Sequence, residues 1–217
     1  MDNHHLLIWV HILLFVFWLG ADVGVFSAAC WVKRRGQTFN ERMLLLKMAG
    51  IVDLAPRICM AWMLPVGLTL AKVWGLETSS TAMAGLWALS VLWSISIIVA
   101  YRNEGTPLAM AIAKSQMALF VVGALIAFWH GGTLLKNPDV PHWLAVKMIL
   151  FGVIFLIAIG IDLTFRPVIA NMLRLAAEGS TDAVESALSQ SINRCLVVVA
   201  SLYAVLLVSS FLGVTKI

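Results

Sequence analysis

Apolar residues run almost unbroken from His5 to Trp31 and give way at Lys33-Arg34-Arg35-Gly36. A helix needs about 20 predominantly apolar residues to cross a bilayer, so this run predicts a first membrane helix over 5–32. Thr38-Phe39-Asn40-Glu41 has capping-box spacing, in which the Thr and Glu side chains satisfy each other's free backbone amides. A second helix is expected over 43–73. Thr78-Ser79-Ser80 supplies N-caps for a third over 81–101. Thr106-Pro107 places a cap and a first-turn proline before a fourth over 107–135. Asn137-Pro138-Asp139-Val140-Pro141 is a turn, followed by a fifth helix over 142–173. The sixth, over 182–214, opens with Asp182 and Glu185 in its first turn. The expected fold is an all-α integral membrane protein, a single six-helix transmembrane bundle whose connections are too short to hold a soluble domain.

Composition agrees with that pattern. Of 217 residues, 61% are hydrophobic and 12% charged, against about a quarter charged in an ordinary soluble domain. A water-soluble globule, a nucleic-acid-binding domain and a disordered tail are excluded; the expected partner is the lipid bilayer. The net charge of +4 matters mainly through its distribution. Ten basic residues (Lys33, Arg34, Arg35, Arg42, Lys47, Arg102, Lys114, Arg166, Arg174, Arg194) fall toward one side of the six spans. Four (Lys72, Lys136, Lys147, Lys216) fall toward the other, and Arg57 is intramembrane. The positive-inside rule then places the ten in the cytoplasm and both termini on the outer side. The expected location is the bacterial inner membrane. Cys30, Cys59 and Cys195 show neither CxxC nor metal spacing and read as thiols of the helix interfaces. Trp9, Trp31, Trp74, Trp129 and Trp143 fall at predicted helix ends and read as an aromatic belt.

With this topology all five histidines lie in or near the outer leaflet. His4, His5 and His142 belong to the headgroup region. His11 lies about 8 Å inside the first helix and His130 about 8 Å inside the fourth, at a rise of 1.5 Å per residue. An imidazole below the interface normally faces protein or ligand. His11, Phe15, Trp18 and Asp22 share one helix face. Neutral imidazoles of this kind, His11 and His130, are candidate metal ligands; alternatively His130, before Gly131-Gly132, ends a fraying helix. Lys147 follows His142 by about one turn.

A second polar layer lies toward the cytoplasm. Asp53 and Arg57 are four apart, as are Asp162 and Arg166, each with the acid first, the favoured order for a helical ion pair. Asp22 is at a depth to meet Arg57. Two readings are open: ion pairs that neutralise costly intramembrane charges, or a proton path from the cytoplasmic side. No Walker loop, HExxH, GxSxG or dinucleotide fingerprint is present, so any catalysis points to a bound redox cofactor.

Trp9-Val10-His11-Ile12 followed by Trp18-Leu19-Gly20 resembles the first helix of the small, membrane-bound, non-flavin protoporphyrinogen oxidases and the related copper-resistance D-type membrane proteins. Arg57 and Trp143-Leu144-Ala145-Val146-Lys147 resemble later landmarks of the same superfamily, with Arg194 a weaker match. The resemblance covers helices one, two, five and six, with three and four looking like an insertion. It implies haem b as cofactor and functional roles for His11 and Lys147, Lys147 being suited to pair a haem propionate. The extra helices and Asp22, Asp53 and Asp162 depart from the pattern.

Three functions follow as expectations. The first is a membrane haem protein in electron transfer or haem-linked oxidation, a membrane oxidoreductase with a redox partner. The second is a transport protein for copper or a small solute. The third is a non-catalytic membrane subunit of a larger respiratory or photosynthetic complex.

Overall fold

A computed structural model of the chain describes residues 3–217. Seven α-helices make up the described residues: α1 (Asn3–Val32), α2 (Phe39–Val52), α3 (Leu54–Ala71), α4 (Ser80–Arg102), α5 (Pro107–Leu134), α6 (His142–Glu178) and α7 (Asp182–Thr215). A single 3₁₀ turn over Lys72–Trp74 follows α3. Five helices, α1, α4, α5, α6 and α7, are long and apolar enough to cross a membrane. Their outward faces are apolar as well: Trp129, Val197 and Leu125 are each more than 60% exposed. Water would not tolerate so much contiguous apolar surface, whereas lipid does.

The start signals operate where the sequence places them. The Thr38 Oγ1 accepts from the Glu41 N–H while Glu41 accepts from the Thr38 N–H, a complete capping box. Ser79 and Thr106 cap α4 and α5 through their hydroxyls; Thr181, not singled out in the sequence, does the same for α7.

Two boundaries differ from the sequence expectation. The segment expected as one helix over 43–73 starts at Phe39 and is interrupted at Asp53. The cause is Pro56, which has no N–H to offer the Val52 carbonyl. The helix beginning at His142 continues to Glu178 rather than ending near residue 173. A salt bridge from Arg174 Nε to Glu178 Oε1 at 3.1 Å holds this last turn.

Pro65 lies inside α3 and leaves the Ala61 carbonyl without its helical donor. The Ser90 hydroxyl of α4 occupies that place, donating to Ala61 O at 2.7 Å. In a membrane interior, where water cannot compensate, this is a strong constraint on helix partners.

The helices pack in chain order around a closed circuit, α1 against α2–α3, α3 against α4, then α5, α6 and α7, with α7 returning to α1. Trp18, Cys59, Trp93, Phe120, Phe155 and Leu202 form the central core. The helices expected as a possible insertion, α4 and α5, supply Trp93 and Phe120 to it. The α5–α6 contact is interlocked: Gly123 gives room to the Phe155 ring and Gly152 to the Phe128 ring. Small residues set such close approach between membrane helices. Trp143 departs from the aromatic-belt reading. It is buried and meets Trp74 edge-on at 5.6 Å, at the end of the bundle where Lys216 stands over Trp74.

Candidate functional site

Of the candidate site residues, His11, Asp22, Asp53, Arg57, Lys147, Asp162 and Arg166 lie on α1, α2–α3 or α6, and His130 lies on α5. α1 packs on α2–α3, α6 packs on α7, and α7 returns to α1; two polar layers draw residues from both groups.

The first layer holds His11 and Lys147. On α1, position 11 faces inward one turn before Phe15 and two before Trp18. Gly67 of α3 leaves the space the imidazole uses: a Cβ there would stand 3.3 Å from His11 Cε1. His11 Nδ1 is buried and has no hydrogen-bond partner. Lys147 enters from α6, and its ammonium lies in a similar notch on α7, where a Gly213 Cβ would stand 2.6 Å from Nζ. Lys147 has no carboxylate partner among the described residues, and its charge is felt at His11. An orphaned imidazole nitrogen could serve as a ligand and an ammonium without a carboxylate partner as a counter-charge for an anionic group.

His130 is half-buried on α5, a helix that packs on α4 and α6. Its neighbour Gly131 presses on α6, and its carbonyl accepts from the Thr133 hydroxyl at 2.7 Å. His4, His5 and His142 are exposed. Among the described residues no three His, Cys, Asp or Glu side chains gather in a way that would hold a metal ion.

The second layer centres on Arg57. Its Nε donates to Asp53 Oδ2 at 2.5 Å, and its Nη2 stands 4.0 Å from Asp162 Oδ1. Asp162 thus turns to Arg57 on α3. The Asp162–Arg166 pair suggested by spacing is not formed, and Arg166 is exposed. Asp22 is buried near this group but forms no ion pair or hydrogen bond among the described residues. The Tyr203 hydroxyl of α7, sealed and without a partner, feels the charge of Asp22.

Sequence reasoning missed a third polar contact. Arg42 and Glu185, counted there as a loop cation and a first-turn acid, are both buried and paired: Arg42 Nη2 is 3.0 Å from each Glu185 carboxylate oxygen. The same nitrogen donates to Arg34 O, and Ser180 Oγ donates to Glu185 Oε1 at 2.6 Å. The only signal in the sequence was that opposite charges flank two loops of the same side. Tyr203, a lone hydroxyl within an apolar run, was also overlooked.

No family model, curated protein or solved structure matches this chain.

Proposed function

We propose that the protein is a six-crossing membrane protein that binds haem b within α1, α3, α6 and α7 and serves in electron transfer or haem-linked oxidation. The convergence of His11 and Lys147, far apart in sequence and each unpartnered, supports this reading. These are also the two positions to which the resemblance to the non-flavin oxidase and copper-resistance D-type superfamily gives a role. His11 would hold the iron through its imidazole, and Lys147 would meet a propionate through a charge-assisted hydrogen bond. Haem supplies reversible one-electron chemistry when bound. Gly67 and Gly213 keep both side chains in place without crowding them. His130 has no part in this site.

In this reading α2 and α3 together form the sixth crossing. The end carrying Lys33, Arg34, Arg35 and Arg42 faces the cytoplasm and both termini face outward, in the bacterial inner membrane. Cysteines introduced at Asn40 and Glu77, in a cysteine-free background, should label from opposite sides. Labelling of both from one side would remove the sixth crossing.

The visible spectrum of protein purified from haem-replete cells tests the cofactor. A b-type spectrum is expected, lost or shifted to high spin in His11→Ala and retained in His130→Ala. Lys147→Met should lower haem content. A colourless parent, or a parental spectrum in His11→Ala, rejects the reading. A second reading, transport of copper or a small solute, draws on the buried, unpaired Asp22; metal uptake by vesicles that depends on Asp22 would favour it.

A further inference from the structure

The Arg57 layer contains three carboxylates, Asp22, Asp53 and Asp162, and a single guanidinium among them. Full ionisation would set three negative charges around that one guanidinium, with only the exposed Arg166 acting on Asp162 besides. Arg57 directs Nε at Asp53 and Nη2 toward Asp162, and nothing is left for Asp22. The three acids also differ in access. The side chains of Asp53, Asp162 and Arg57 are 28%, 33% and 38% exposed, whereas Asp22 is 7% exposed. Charged side chains facing lipid are expensive, so these three partly exposed groups turn toward water. Asp22 lies deeper than all three.

An ionised carboxylate in an apolar setting with no donor is strongly disfavoured, and such a group neutralises instead. Arg57 is the one cation whose charge reaches Asp22 among the described residues. From α7 the groups that feel the charge of Asp22 are Cys195 and the sealed Tyr203 hydroxyl, and Cys30 on α1 acts on Tyr203 in turn. From α2–α3 the facing groups are Asp53 and Arg57; on α6, Asp162 feels Arg57, Asp53 and the exposed Arg166.

We propose that Asp22 is an exchangeable proton-binding site in the membrane interior, in exchange with water on the side of the partly exposed Asp53, Arg57 and Asp162. One O–H bond forms at an Asp22 carboxylate oxygen as an O–H bond of a hydronium ion breaks, the proton arriving from water on that side, and no electron moves. The charge of the layer then changes by one unit on each exchange. The site is independent of haem, since neither His11 nor Lys147 takes part.

Infrared difference spectroscopy of the full chain in nanodiscs, recorded against pH, tests the proposal through the C=O stretch of protonated carboxyl groups. The expected result is a band that grows reversibly as pH falls, shifts in heavy water and is lost in Asp22→Asn. Should that variant fail to fold, Asp22→Glu keeps the acid and must move the band in frequency. The proposal is overturned by any of three results in folded protein: no such band at any pH, a band that does not change with pH, or a band that survives the Asp22 substitutions unaltered.

Discussion

Arg42 and Glu185 lie 143 positions apart and share a bidentate contact at 3.0 Å that closes one end of the bundle. The Arg42 side chain is fully buried and that of Glu185 is 5% exposed. The pair ties the start of α2 to the first turn of α7; Arg34 O accepts from the same Arg42 Nη2 and Ser180 Oγ donates to Glu185, while Arg42 Nε and Nη1 are buried without a partner. Breaking such a pair by removing one partner typically costs about 3–5 kcal/mol, because the other charge remains buried. Arg42→Met should therefore lower stability by roughly that amount in denaturant unfolding of the detergent-solubilised protein. Adding Glu185→Leu should recover most of the loss. Parental stability in Arg42→Met would show that the clasp is dispensable.

Ser90 and Pro65 form a compensating pair. Ser90→Ala leaves the Ala61 carbonyl without a donor, and an unsatisfied buried polar group costs about 1–3 kcal/mol. In a Pro65→Ala background the helix regains its own N–H for that carbonyl, so Ser90→Ala should then be nearly silent. A thermal double-mutant cycle reads the coupling; simple additivity would contradict it.

Two glycines with equally tight surroundings should respond differently to alanine. At Gly131 a Cβ would meet Ile149 Cγ1 at 2.6 Å and the Ala145 carbonyl oxygen at 3.2 Å. Backbone cannot retreat, and overpacking of this kind costs about 1–3 kcal/mol. At Gly213 the obstacle is the Lys147 ammonium, the far end of a flexible side chain. Gly131→Ala should lower the melting temperature, whereas Gly213→Ala should leave it almost unchanged and perturb only what Lys147 binds.

Acid should loosen the start of α2. The Thr38 N–H, at 2.7 Å, and the Thr38 hydroxyl, at 2.9 Å, donate to Glu41 Oε2 and hold its carboxyl below the usual carboxylate range. A depressed carboxyl contributes its stabilisation above its unfolded titration range and loses it as pH falls through the folded one. Amide exchange in the first turn of α2 should therefore accelerate toward acid pH relative to Glu41→Gln. Identical pH profiles in the two proteins would exclude the carboxylate as the cause.

Signals carried by neighbouring residues were legible in the sequence. The capping box at Thr38, the caps before α4 and α5 and the inward stripe from His11 to Asp22 depend on spacings within one or three turns, and the structure places them where those spacings do. The partners chosen across the bundle were not legible. Helical spacing offered Arg166 to Asp162, yet tertiary packing presents Arg57 instead. Arg42 looked like one of several cytoplasmic-type cations because burial of a loop-flanking charge depends on a helix more than a hundred residues away.

The closed circuit of helices is uneven. Contact is dense within α1–α4 and within α5–α7, and sparse where α4 meets α5 and where α7 meets α1. The molecule is thus two half-bundles joined along a seam. Arg57 faces Asp162, Arg42 grips Glu185, Lys33 donates to Asn193 and Arg35 meets Asp182, all across that seam. His11 and Lys147 stand on its two banks. The polar residues therefore act as fasteners between two bodies, and a change in charge at any of them bears on how tightly the halves are held. Spin-label distances between α4 and α6 in variants of Arg57 and Arg42 would measure that grip directly.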